Sequence, residues 1–92
     1  MRFVILPSFG RRYKKLPRER QEAAREAIFR FIDIVEQKAT LRTGLGVKHL
    51  RGELWEIRST IRDRIVFSLR SDKMEFLFIG NHDDIRTFLK SK

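Results

Sequence analysis

The sequence predicts an α+β domain: an N-terminal strand and a helical hairpin packed on an antiparallel sheet of about four strands, closed by a short C-terminal helix. Three observations predict it. Apolar residues recur at helical spacing from Phe9 to Val35, and then at every second position from Trp55 onward. Pro7, Pro17 and the stretch TGLG stand where the pattern changes. At 92 residues, 41% of them hydrophobic and 11% aromatic, the chain suits a single domain over 1–92 with one modest core.

The elements follow in order. Arg2 to Leu6 (RFVIL) reads as a short strand stopped by Pro7, and Ser8 is placed to cap a short helix with its hydroxyl. Phe9, Tyr13 and Leu16 give that helix one apolar stripe against a basic back of Arg11, Arg12, Lys14 and Lys15. Pro17 ends it, lacking the N–H that would continue the ladder, and suits the first turn of the next helix. This second helix, about Arg18 to Gln37, gathers Ala24, Ala27, Ile28, Phe31 and Val35 on one face. Glu26 precedes Arg30 in the order that favours an ion pair one turn apart.

After TGLG the period is two. In ELWEIRS, Trp55 and Ile57 face one way; in RIVFSLR so do Ile65, Phe67 and Leu69, and in MEFLFIG Met74, Phe76 and Phe78. The links TIRD and SDK are short enough for hairpins, so the three strands form a meander with this face on the helices. The opposite face carries Glu56, Arg58, Arg64, Ser68 and Arg70, with Leu77 and Ile79 at its last strand. Asn81 or Asp83 caps the final helix, Asp83 and Asp84 complement its dipole, and Ile85, Phe88 and Leu89 are spaced to dock it. His82 is thereby held at a helix start beside the last strand.

Charge narrows the function. Lys and Arg number 21 against 12 Asp and Glu, a net +9, which draws polyanions. Between Gln37 and Gly52 there is no acidic residue, while Lys38, Arg42, Lys48, His49 and Arg51 all fall there. A basic run without interleaved carboxylates is suited to phosphate. The arginines of the open sheet face add to it, since guanidinium forks bind phosphate and stabilise charge building on a phosphoryl group.

Several chemistries are excluded. Without cysteine there is no disulfide framework or thiolate nucleophile, and a cytoplasmic setting is expected. No apolar run reaches the length of a membrane span, and the N-terminal one is too short for a signal peptide. His49 and His82 lie too far apart for ligand spacing, so neither metal nor other cofactor is expected. Gly44 and Gly46 read as turn residues rather than a nucleotide loop.

The order KHLRGELWEIR, then RDRIVFSLR, then FLFIGNHDDI resembles the RelE/ParE superfamily of bacterial type II toxins across nearly the whole chain. The pieces are Lys48, Leu50, Gly52 and Trp55 to Arg58; Asp63 to Phe67; and Ile79, Gly80, His82 and Asp84. The resemblance implies a RelE-like fold and a toxin silenced by a cognate antitoxin, which would present an acidic amphipathic segment to the cationic face. It implies a metal-independent, ribosome-dependent mRNA endonuclease, or alternatively a ParE-like inhibitor of DNA gyrase without nuclease activity. A non-toxic RNA-binding module is the third reading.

In the endonuclease branch, cleavage through the ribose 2′-hydroxyl needs a base, cations for the phosphorane and an acid for the leaving oxygen. Arg64 and Arg58 match the family arginines that would hold the scissile phosphate, and His82 matches a histidine used for proton transfer, as the acid. Glu56 and His49 are candidates for the base, and Lys48, His49, Arg51, Arg70 and Arg42 would grip RNA. Asp63 and Phe67 stand where the family strand has tyrosines, and the only tyrosine, Tyr13, reads as packing.

Overall fold

The computed structural model describes residues 1–36 and 46–91; Arg42, Gln37 and the TGLG stretch up to Leu45 lie outside the described residues. The strand β1 (Arg2–Ile5) is followed by α1 (Pro7–Lys14), α2 (Arg18–Glu36), β2 (Lys48–Arg51), β3 (Leu54–Arg58), β4 (Arg64–Arg70), β5 (Lys73–Gly80) and α3 (His82–Lys90). The α+β class holds, and the sheet is larger and more mixed than expected. It has five strands in the order β1-β5-β4-β3-β2, with β1 parallel to β5 and the remaining pairs antiparallel. The additional strand is β2, expected to be part of a basic loop; its backbone pairs with β3, setting Lys48 opposite Glu56 and His49 opposite Trp55.

The first helix starts without the expected Ser8 cap. Leu6 occupies the capping position with no side-chain bond, Pro7 begins the helix, and the Ser8 hydroxyl donates instead to the Leu77 carbonyl at 2.6 Å. The reason lies in β5. Val66 pairs with Phe78 but Phe67 pairs with Phe76, so Leu77 is an extra residue, a β-bulge, and its carbonyl needs another donor.

The bulge also corrects the face assignment. Met74 and Phe76 face the helices as expected, but past Leu77 the alternation slips by one. Ile79 therefore joins the helix-side core with Ile57, Ile65, Phe67 and Phe31, while Phe78 moves to the opposite face beside Val66 and Leu77. In the helix-side core the Phe31 and Phe67 rings lie 4.9 Å apart, and Phe67 and Phe76 6.2 Å.

The other face is not open throughout. A second apolar cluster of Val66, Leu77 and Ile85, ringed by Leu50, Leu54, Phe78, Phe88 and Leu89, seats α3 on it. Asn81 caps α3 in a reciprocal box: its side chain accepts from Asp84 N–H at 2.8 Å and its own N–H donates to the Asp84 carboxylate at 2.9 Å. Arg12, expected on the basic back of α1, reaches across to pair with Asp84 at 2.9 Å, donates to the Ile79 carbonyl at 3.0 Å and lies over the Phe78 ring. Gly80 makes room for this clasp, since a Cβ there would stand 2.7 Å from both Arg12 and Asp84.

One ion pair is deeply placed. The Arg20 guanidinium donates twice, each at 2.7 Å, to Asp63, whose side chain is fully buried, and so fastens the start of α2 to the β3–β4 loop. Asp63 thus serves as a structural anchor. The same pair raises the Arg20 guanidinium further above its ordinary range, through the Asp63 hydrogen bonds first.

Candidate active site

Where β2, β3 and β4 meet the start of α3, the second face hollows into a groove of about 260 Å³. Lys48, Glu56, Arg64, His82 and Arg86 line it, with Leu50, Ile85 and Leu89 as its apolar wall. Each polar residue arrives by a different local rule. Lys48 and Glu56 are register partners across β2 and β3, so they share a face. Arg64 opens β4 and pairs with Glu56 at 3.0 Å. His82 and Arg86, one turn apart on α3, point to the same side because residues i and i+4 of a helix stack.

The electrostatics favour an anion. Glu56 is 5% exposed and is the sole carboxylate among the described residues of the lining, with its charge matched by Arg64. Lys48, Arg86 and His82 are exposed and have no partner among the described residues, so the groove keeps a positive excess. Its chemical content is a fixed carboxylate, three cationic side chains and an imidazole at the rim, a set able to bind a phosphodiester and move protons around it.

The other residues singled out in the sequence are placed elsewhere. Arg58 is the cross-strand partner of Arg64, but it lines a separate cleft with Arg30, Gly46, Ser59 and Thr60. His49 is on the helix-side face, its ring 4.6 Å from Trp55 and its Nε2 2.9 Å from the Gly52 carbonyl. Arg51 donates to the Leu89 carbonyl at the end of α3. Arg70 pairs with Glu53 at 2.9 Å, over a wider hollow floored by Leu54 and Leu77.

Arg86 was not anticipated. Its signal was present in the sequence as the residue one helical turn after His82. Among the described residues no group of three or more His, Cys, Asp or Glu comes together, and no helix is long and apolar enough to cross a membrane.

No protein-family model matches the chain, and no curated protein matches it in sequence. Solved structures do match in shape. The DinJ–YafQ complex from Escherichia coli aligns with a TM-score of 0.69 at 10% identity, covering 92% of this chain and 98% of that one. The RelB–RelE antitoxin–toxin complex from Methanococcus jannaschii aligns at 0.65 with 18% identity, covering 92% and 96%. YoeB from Staphylococcus aureus, solved as a dimer, aligns at 0.67 with 12% identity, covering 89% and 97%. The architecture of one strand, a helical hairpin, a bulged meander and a docked final helix is accordingly the RelE-like fold that these proteins share.

Proposed function

We propose that this chain is the toxin of a type II toxin–antitoxin pair: a cytoplasmic, metal-independent endoribonuclease that cleaves mRNA on the ribosome and is neutralised by a cognate antitoxin. The observation that carries this reading is the convergence of Glu56, Arg64, His82, Lys48 and Arg86 on one groove. Glu56 takes the proton of a ribose 2′-hydroxyl, and the 2′-oxygen attacks the adjacent phosphorus. Arg64, Lys48 and Arg86 hold the charge of the crowded phosphorane. As the bond from phosphorus to the 5′-oxygen breaks, protonated His82 gives its proton to that oxygen, leaving a 2′,3′-cyclic phosphate and a 5′-hydroxyl end.

The partner follows from the same charge. A +9 chain with a cationic groove suits an acidic amphipathic segment, and the similar RelE structure is that of an antitoxin–toxin complex. The test is induced expression with mapping of mRNA 5′ ends, in the native chain and in Arg64→Gln and His82→Ala variants. Ends clustered within translated codons, falling about 10²–10³-fold in Arg64→Gln, are expected. Intact mRNA with broken DNA would replace this reading by gyrase inhibition, and unaffected growth would replace it by a non-toxic RNA-binding module.

A further inference from the structure

A second cationic cleft, of about 290 Å³, is lined by Arg30, Gly46, Arg58, Ser59 and Thr60. Three features of it are unusual for a merely solvated surface. Arg58 stands directly across from Arg64, and like charges in that position destabilise a sheet pair. Arg64 is neutralised by Glu56, but Arg58 is exposed with no partner among the described residues. Arg30 has Glu26 one turn before it, in the order that favours a pair, and no such pair forms. It lines the cleft with Arg58 instead.

The wall of the cleft is rigid. The Ser59 N–H donates to the Asp63 carbonyl at 3.0 Å, and the Thr60 hydroxyl accepts the N–H groups of Arg62 at 3.2 Å and Asp63 at 2.9 Å. A hydroxyl that accepts twice still has its own proton to donate. The pair of Arg20 with the buried Asp63 anchors the end of this loop. On the opposite side Gly46 has φ +63°, and a Cβ there would stand 3.0 Å from Arg58 Cβ. A side chain at 46 would press on the arginine and strain the backbone.

We propose that this cleft is a second phosphate site, in which Arg30, Arg58 and the Thr60 hydroxyl hold a backbone phosphate of the same strand whose scissile phosphate sits in the groove. That the strand is RNA rests on the function proposed above. Arg58 and Arg64 are cross-strand partners with Cα atoms about 4.5–5.5 Å apart, so each site draws one arginine from the same register pair of β3 and β4. A phosphate in the cleft gives Arg58 the counter-charge that Glu56 already gives Arg64.

The test is binding of a short, fluorescent, single-stranded RNA made uncleavable by 2′-O-methylation, measured by anisotropy over a series of salt concentrations. Each of Arg30→Gln and Arg58→Gln is expected to lower the slope of log affinity against log salt by about 0.7, and the double variant by about 1.4. Arg30→Lys should keep the slope, since it keeps the charge. Arg11→Gln, on the exposed back of α1, controls for the loss of overall charge. If the cleft variants change the slope no more than Arg11→Gln does, the second site is overturned. The fate of the two proposals separates cleanly: mRNA cleavage by the native chain with an unchanged slope removes only the cleft, whereas a lowered slope without cleavage removes only the endonuclease.

Discussion

On the helix side of the sheet Phe31, Phe67, Phe76 and Ile79 are all fully buried, and the buried Asp63 carboxylate is closed off by Arg20. On the α3 side Val66 and Leu77 are buried, but Phe78, Phe88 and Leu89 are only half covered, and the space beside them is filled by cations. Both faces come from the same alternating strands. The difference teaches that stability and binding are divided between them: one face buries apolar area to the limit, while the other keeps a short docked helix so that charged groups can remain in reach of a ligand.

Truncations should expose this division most plainly. Phe67→Ala, which empties the space between Phe31 and Phe76, should cost about 3–5 kcal/mol in urea unfolding. Phe88→Ala, on half-buried ground, should cost about 1–2 kcal/mol. Equal costs would mean that the two faces share the load and would break the comparison.

A smaller change sharpens it. Asn81→Ala removes the capping box of α3 and should cost about 1 kcal/mol, with hydrogen exchange accelerating in α3 and not in α2. Because His82 and Arg86 ride on that helix, the proposed RNA cleavage should fall further than the stability change accounts for. A uniform rise in exchange through both helices would count against a separately loosened face.

The smallest expected effect is a pH dependence on the α3 side. Lys73, bonded at 3.2 Å, holds the Glu75 carboxyl below its ordinary 4.5, with Ser68 and Arg70 adding to the effect. A lowered folded value means that the charged form is favoured by folding, so the contribution is present above about pH 4.5 and is lost as the pH falls through the folded value. Glu75→Gln should therefore flatten the acid-side decline of urea midpoints. Identical declines in the two proteins would remove Glu75 from the account.

Much of the fold was legible because local rules wrote it. The helical spacing of Phe9 and Tyr13, the break at Pro17, the strand alternation as far as Phe76 and the Asn81 cap each depend on residues within a turn or two of one another, and each is found in place. The bulge at Leu77 was not legible, since MEFLFIG alternates without interruption and only pairing with β4 shows where a residue is extra. Ser8 could not be assigned for the same reason, its acceptor lying 69 positions away.

Apart from β2, the elements, their order and the surplus of positive charge were set by the sequence, because propensity, periodicity and composition act over short range or over the whole chain. Tertiary structure alone decided which cations that surplus leaves free. A guanidinium is committed or available according to what approaches it in space: Asp84 for Arg12, Asp63 for Arg20, Glu53 for Arg70, and among the described residues nothing for Arg30, Arg58 or Arg86. Long flexible side chains reach partners that sequence distance does not foretell, so the candidate site is set by contacts rather than by motifs.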